Sequence, residues 1–545
     1  MASLNPIAGA LGTQRAAHLL RRATLGPRLQ DISSFAGMTA QAAFDALVQV
    51  QPNPALPIDP STGTDWVYPN PVSTTSMNLS DYTRSWWMEN MRSEGANLTE
   101  RMIWFYHTHF PMIMTRIENY QQFSIDYIRL LRYYALGNYK DLTKALVIDN
   151  AMLLNLDGNL NIKGVPQENF AREFLELYTV GKGEEVSLGN YTNFTEQDVQ
   201  ALTKALTGWG IDPTFQTLDP LTNLPTGKVK GSATTSSQHD VTAKQFSGAF
   251  NNQVIQTGSV TGSNATVTAV YTELDDILNM VFNSPHTAKH ICRRIYREFV
   301  YYNITPEIET DVIEPLAATL VSNNYNITSV LEILFQSEHF YDLDTPITED
   351  NNIGAIIKSP MDLVIGTMRL FHLTVPDKTT QLPAHYEMYS QLIGQLELQG
   401  LQFFEPYDVA GYEPYYQFPD YHRYWISSNY LANRYKFSEL LITGFTGMSG
   451  NLLKLDVVEF VETNCSNPGD ATILVQELTN WLFPITLDTV RFNYFRDEVL
   501  LDQLPASNWT AEWANYVNTS SDVNVRLQLE SLITAMMQTP EYQLF

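Results

Sequence analysis

The sequence predicts a mainly α protein, a large multi-helix body carrying a small Ser/Thr/Gly-rich β insertion. Three observations predict it. Apolar residues recur at helical spacing in runs such as QRAAHLLRRATL and SIDYIRLLRYYAL. Gly, Pro and capping residues punctuate those runs at intervals suited to helices of ordinary length. Only the stretch from Gly210 to Glu273 departs from this, being rich in Thr, Ser and Gly and alternating in QVIQTGSVTGSNATVTAVYTE.

In chain order, Gln14 to Leu25 is the first helix, with Arg15, Arg21 and Arg22 set against Ala17, Leu19, Leu20 and Leu25, and Gly26-Pro27 ends it. Gln41 to Val50 is a second. The Pro/Ser/Thr-rich run from Gln51 to Ser76 is a long irregular connection, packed over the body through Trp66 and Tyr68. Ser80 to Tyr134 returns to the helical pattern, with a break at Gly95, and Tyr139 to Asn155 adds a short pair. After the insertion, helices are expected at Leu274 to Asn283, Pro285 to Tyr301 (with Ser284 as N-cap), Glu307 to Asn323, Thr328 to Gln336, Pro360 to Leu373 and His385 to Gln395. An aromatic-rich loop from Phe403 to Trp425 follows, and the tail holds helices near Ala471 to Leu482 and Val523 to Gln538.

The stretch from Pro166 to Trp209 carries charge where a core helix should not. At about 100° per residue, Asn169, Arg172, Glu173 and Glu176 share one sector, while Phe170, Phe174, Leu175, Leu177 and Tyr178 cover the rest. A helix so apolar elsewhere is buried, and buried carboxylates need a partner, a metal or a proton. Arg172 stands at the i,i+4 spacing from Glu176, in the poorer orientation. Glu173 then needs a partner from elsewhere. A second helix starts at the N-cap Thr195, has Val199, Leu202, Ala205 and Leu206 as its apolar face, and stops at Gly208.

NFAREFLELYTVG followed by YTNFTEQDVQALTKALTGW resembles the signature of a bacterial family catalogued as domain of unknown function 1800. RAAHLLRRATLGP, RMIWFYHTHF, HDVTAK, SPHTAKHICRRIYREFV, IKSPMDLVIGTMR and EPYDVAGYEPYYQFPDYHRYWISSNYLANR match its other blocks in order. The resemblance implies a mostly helical protein, commonly exported and often encoded beside a sulfatase-like family, with no established reaction. It also implies a body over residues 1–435, with the insertion at about 210–273, and a helical extension over 436–545 packed on it. The family's usual Trp-His-Asn-His has become Tyr106-His107-Thr108-His109, and its usual histidines are replaced by Tyr178 and Ser284.

Lys+Arg 33 against Asp+Glu 59 gives a net charge of −26. That disfavours nucleic acid and anionic membrane surfaces and suits cation binding or a solvated acidic surface. No apolar run reaches the roughly 18 residues of a membrane span. Cys292 and Cys465 carry little information, Cys292 reading as a buried thiol beside an apolar helix face, and MASLNPIAGALG lacks the basic start and apolar run of a signal peptide, so the expected extracytoplasmic location has no visible export signal.

Several residues are candidates for chemistry. On a helix, His107 and His109 point about 200° apart; in an extended segment ending at Pro111 they face one way and form a metal pair. The alternative is that one caps the helix and the other is a hydrogen-bonded core residue. His239-Asp240 with Lys244 suits an anionic substrate or a loop-anchoring ion pair. His286 and His290 lack the glutamate of a zinc-protease helix and are read as surface or capping residues. Arg21, Arg22, Arg293 and Arg294 are expected to pair with buried carboxylates such as Glu173 and Glu176. Trp425 and the tyrosines between Tyr407 and Tyr424 either line a sugar cleft or form a core loop.

Two functions follow. In the first, a hydrolase-like enzyme acts on an extracellular substrate such as polysaccharide. A divalent metal ion is held by His107, His109 and Glu173, with His239 as a further ligand, Glu176 or Asp240 as base, Arg172 orienting and Lys244 meeting the substrate. In the second, a non-enzymatic secreted protein binds carbohydrate or a protein partner, and its polar stripe is a buried salt-bridge network.

Overall fold

Side-chain caps fix where the helices begin. Asn138 accepts from the backbone of Lys140 and Asp141, Asp149 from Met152, Thr266 from Ala269, and Asp470 from Thr472 and Ile473. Each such cap stabilises its helix by about 1 kcal/mol. The computed structural model describes residues 2–68, 76–344, 356–447 and 449–545, and it is mainly α. Part of the irregular connection, residues 69–75, lies outside the described residues. The described part forms a small hairpin, Ile58–Asp59 with Thr64–Asp65, and Trp66 is buried as expected.

The Thr99–His109 helix is buried on every face. It packs beside the Ser76–Ser93 and Gln122–Tyr133 helices, and Trp87 and Trp104 meet with ring centroids 6.0 Å apart. Phe403 and Phe404, from the aromatic-rich loop, close over the same two tryptophans. That half of the loop is core. The Pro285–Phe299 helix, started by Ser284 and Pro285 as expected, lies on the other side, where Phe299 meets Phe105.

Arg21 and Arg22, on the Gly12–Ala23 helix, are buried, and their hydrogen bonds among the described residues go to main-chain oxygens. Arg21 donates to the Trp481 carbonyl, and Arg22 to the carbonyls of Phe299, Val300 and Phe545. Trp481 and Phe299 sit in the last turns of helices, whose carbonyls have no intrahelical partner and carry the negative end of the helix dipole.

The insertion is a set of two- and three-residue strands. Thr235–Ser236, Asn264–Thr266 and Val260–Thr261 form one small sheet, and Lys244–Gln245 pairs with Val254–Ile255. The following helix runs Val267–Phe282 and so begins seven residues before Leu274. Val-Thr-Ala-Val reads as alternation, but Val270, Leu274, Ile277, Leu278 and Val281 form one continuous buried stripe that carries the helix back to the Thr266 cap.

The tail holds helices that periodicity did not reveal: Ser428–Thr443, Val457–Asn464 and Ala506–Thr519, beside Ala471–Leu482 and Val523–Met537. SNYLANRYKFSELLIT has no clean apolar stripe, and its Arg434 is fully buried. Among the described residues, no helix is long and apolar enough to cross a membrane.

Candidate functional site

Four of the stretches quoted above for the resemblance meet around one cavity of about 40 Å³. The Thr99–His109 helix supplies Arg101, Phe105 and Thr108, spaced i, i+4 and i+7 along one stripe. The Pro285–Phe299 helix supplies Arg294, Arg297 and Glu298, again one face. Asp362 is placed by the Pro360–Leu370 helix, whose Ser359 and Asp362 close a capping box. Tyr415, Tyr421, His422 and Trp425 come from two short 3-10 turns, Glu413–Tyr415 and Tyr421–Ile426.

Charge in the cavity is divided unequally. Arg101 is held between Asp362, at 2.5 Å, and Glu298, at 3.3 Å. Arg294 donates to the Thr108 carbonyl at 3.3 Å, and Arg297 donates to the Tyr302 carbonyl at 3.3 Å while lying 5.3 Å from the centre of the Tyr421 ring. Among the described residues neither has a carboxylate in ion-pair contact. Burial pulls the Arg294 guanidinium down to about 10, still charged at neutral pH. Burial, then Arg423 and Arg22, lowers the His422 imidazole to about 4, so it is neutral, and its Nε2 has no partner.

The Tyr421–Ile426 turn has a second face. Arg423, Tyr424 and Ile426 join Asp420, Asn429 and Tyr430 along an open groove of about 480 Å³. The Tyr424 and Tyr430 rings lie 5.8 Å apart, and the Arg423 guanidinium lies 5.2 Å from the centre of the Tyr302 ring. One turn therefore places Tyr421, His422 and Trp425 at an arginine-rich cavity and Arg423, Tyr424 and Ile426 along an exposed aromatic groove.

The signature helix is α only over Asn169–Glu173; Phe174–Tyr178 widens into a π turn, a form that recurs at functional sites. Arg172 pairs with Glu168 at 3.1 Å and with Glu196 at 3.0 Å, not with Glu176. Glu176 pairs with Lys182. The i,i+4 partner of Arg172 is thus the preceding Glu168, the favourable order for a glutamate and a cation on a helix. Glu173, 9% exposed, makes no hydrogen bond or ion pair among the described residues. Burial, then the charges of Glu176 and Asp408, push its carboxyl up to about 7.

The expected metal site is not assembled. The Thr99–His109 segment is helical through His109, so the two imidazoles diverge. Tyr127 donates to the Phe110 carbonyl and so accepts from His107 Nδ1; Tyr412 accepts from the Phe404 backbone and donates to His107 Nε2. Both His107 nitrogens are spent, and burial lowers the ring to about 3. Tyr139 donates to the Tyr178 carbonyl and accepts from His109 Nε2, leaving Nδ1 buried without a partner. His239 faces the Thr207 carbonyl and the Glu273 carboxylate, so both ring nitrogens are occupied by oxygen partners. Among the described residues no three His, Cys, Asp or Glu side chains are placed to hold a metal ion.

Lys244 is sealed beside Glu273, at 2.6 Å, and donates to the Thr257 hydroxyl and the Asp240 carbonyl. Asp240 caps Thr242. This is the loop-anchoring arrangement, with Glu273 of the Val267–Phe282 helix as its centre. His290 is half-buried and contacts the Leu177 carbonyl at the end of the π turn at 2.9 Å. Arg293 pairs with Glu309, not with Glu173 or Glu176.

Sequence reasoning missed Arg101, Glu298 and Asp362 as a unit. The i, i+4, i+7 stripe was a usable signal, as was the Ser359-to-Asp362 capping box. Comparison with known families finds one whose model, described as "Protein of unknown function (DUF1800)", matches residues 18–544. No curated protein and no solved structure matches the chain.

Proposed function

The chain belongs to the DUF1800 family of proteins of unknown function, and from that premise we propose that it is an extracytoplasmic binding protein for acidic carbohydrate. The observation that carries this reading is the state of Arg294 and Arg297. In a chain with net charge −26, two guanidiniums line a cavity while other arginines there and nearby, Arg101 and Arg293, have carboxylate partners. A cation held partly out of bulk water with no carboxylate in contact, only Glu298 near Arg294 and Glu309 near Arg297, carries a desolvation cost that an anion from outside relieves.

Size sorts the parts of the ligand. A cavity of about 40 Å³ admits a carboxylate or sulfate head but not a sugar ring. The adjoining groove of about 480 Å³ falls within the range of small-molecule sites, and the Tyr424 and Tyr430 rings offer faces for pyranose stacking. The overall negative charge does not oppose this, because at physiological salt surface charges beyond about 8 Å are screened. Location outside the cytoplasm rests on the family resemblance. The test is calorimetric titration with uronate-containing or sulfated oligosaccharides against neutral ones of equal length. Binding of the acidic series alone supports the reading, and equal or absent binding of both rejects it.

A second reading, hydrolysis of such a glycan, is favoured by the Glu173 carboxyl, which near pH 7 is poised to give or take a proton. Metal dependence finds no support in the scattered positions of His107, His109, His239 and Glu173. Release of reducing ends from an acidic polysaccharide, lost in Glu173→Gln, would establish the enzyme; intact polysaccharide after prolonged incubation would leave binding alone.

A further inference from the structure

His422 lines the cavity of Arg294 and Arg297, and the backbone fixes which of its nitrogens carries the proton. Ile357 faces Leu544 in an antiparallel bridge whose hydrogen bonds are made by the residues on either side. The Ile356 N–H goes to the Phe545 carbonyl and the Lys358 N–H to the Gln543 carbonyl. Ile357 is then a non-hydrogen-bonded pair member, its N–H turned away from the partner strand. That N–H donates to His422 Nδ1 at 3.3 Å. The Tyr302 ring stands nearly perpendicular to the imidazole, with centroids 5.1 Å apart. Tyr421, just before it, has φ +43°, a strained state for a bulky residue that persists only where the surroundings enforce it. The Arg297 guanidinium, 5.3 Å from the centre of the Tyr421 ring, is among those surroundings. Accepting from Ile357 makes Nδ1 the lone-pair nitrogen, so the one N–H of the neutral ring lies on Nε2. That Nε2 is buried and has no hydrogen-bond partner.

We propose, on the binding reading above, that His422 is a further binding residue of this cavity, giving its Nε2–H to a fully ionised oxyanion head beside Arg294 and Arg297. A buried donor without an acceptor is costly, and a ligand oxygen removes that cost. Glu298 and Asp362 line the cavity too, but they hold Arg101 between them, and neither makes a hydrogen bond to Nε2. The roles differ in kind: the two guanidiniums supply charge, and the imidazole supplies a neutral donor at a fixed bearing. Three donor side chains on one head favour a group whose oxygens only accept. A sugar carboxylate and a sulfate ester both meet that condition at neutral pH, whereas a head that carries its own proton does not.

The full chain, His422→Phe and His422→Gln are titrated calorimetrically with trigalacturonate and with galactotriose 6-sulfate, galactotriose being the neutral control, at several salt concentrations. Phenylalanine keeps a flat ring without nitrogens, and the glutamine amide restores an N–H at similar reach. His422→Phe is expected to bind about tenfold more weakly, and His422→Gln to recover most of that loss. The salt dependence of both is expected to match the parent's, because no charge has been removed. The tighter of the two sugars tells a carboxylate head from a sulfate head. ¹⁵N-histidine spectra of the unaltered chain need no variant to fold: they are expected to show the Nε2–H form and a shift of that resonance on adding either sugar. An Nδ1–H form, parent-like affinity in a folded His422→Phe, or a flattened salt dependence in that variant overturns the proposal while the binding reading stands. Failure of the parent to bind either acidic sugar overturns both.

Discussion

Arg101 and Asp362 meet at 2.5 Å, joining the Thr99–His109 and Pro360–Leu370 helices through side chains that are almost wholly buried. Breaking a buried pair leaves an uncompensated charge and costs about 3–5 kcal/mol. Asp362→Asn is expected to lose that much in urea unfolding, because Arg101 keeps only the longer contact to Glu298. An Arg101→Met/Asp362→Leu/Glu298→Gln triple variant, which also removes the charge that Arg101 neutralises on Glu298, is expected to recover a large part of the loss. A triple variant as unstable as Asp362→Asn would show that the cluster contributes through geometry and not through its charges.

Glu173 makes stability depend on pH in a calculable direction. Its carboxyl sits near 7 in the folded chain against an ordinary value of 4.5. Between those values the unfolded state gives up a proton that the folded state keeps, so the folded state loses stability as pH rises from about 4.5 to 7, and the cost then levels off. The displacement corresponds to at most about 3 kcal/mol. Glu173→Gln, which is neutral throughout, is therefore expected to be more stable than the parent at pH 8 and equal to it at pH 4. Unfolding curves at the two pH values check this, and a variant less stable at pH 8 would mean that the ionised carboxylate has a favourable partner.

Glu173 also marks how far the sequence could be read. The helix, its apolar flanks and the problem of a carboxylate without a partner followed from spacing alone. The widening at Phe174–Tyr178 did not, because a π turn leaves no mark in a periodicity count. The Ser284 start of the Pro285–Phe299 helix was legible from its cap and proline. The course of His107 and His109 was legible only as a choice between helix and extended chain. The helix wins because every face of Thr99–His109 is buried, a condition set by Trp87, Phe403, Phe404 and Phe299, which come from distant parts of the chain. Arg21, Arg22 and Arg294 were assigned carboxylates because charge is visible in a sequence, whereas helix-end carbonyls are not.

The two faces of the Tyr421–Ile426 turn are expected to separate in binding measurements. On the proposed binding function Arg297 would meet the anionic head, and losing a charge-assisted hydrogen bond costs about 1.5–3 kcal/mol, roughly ten- to a hundredfold in affinity. Arg297→Ala is expected to weaken binding of acidic oligosaccharides by that factor and to flatten its dependence on salt. Tyr424, 38% exposed in the groove, would contribute stacking on the same proposal. Tyr424→Ala is expected to weaken binding by a smaller factor and to leave the salt dependence unchanged. Identical salt profiles for the two variants would contradict the division of roles.

Gly26 and Gly366 touch where the turn after the first helix crosses the Pro360–Leu370 helix, and the contact is not symmetric. Gly26 has φ +99°, a conformation that disfavours a side chain, and a Cβ built on it would lie 2.4 Å from the Gly366 Cα. That neighbour is backbone, so relief requires moving a helix. Its carbonyl also accepts from Arg369 Nε at 2.6 Å, which fixes the turn from the other side. A Cβ on Gly366 meets nothing nearer than 3.5 Å, and Gly366 sits in helix, where alanine is favoured by about 1 kcal/mol. Gly26→Ala is therefore expected to destabilise by more than about 2 kcal/mol, strain and clash adding together. Gly366→Ala is expected to be neutral or mildly stabilising. Because both residues line a cavity of about 20 Å³ shared with Arg21, Lys358 and Tyr542, thermal unfolding of the two variants also measures how firmly its walls are fixed. Equal losses from both substitutions would mean that the helix yields, and that the crossing is looser than a 2.4 Å encounter allows.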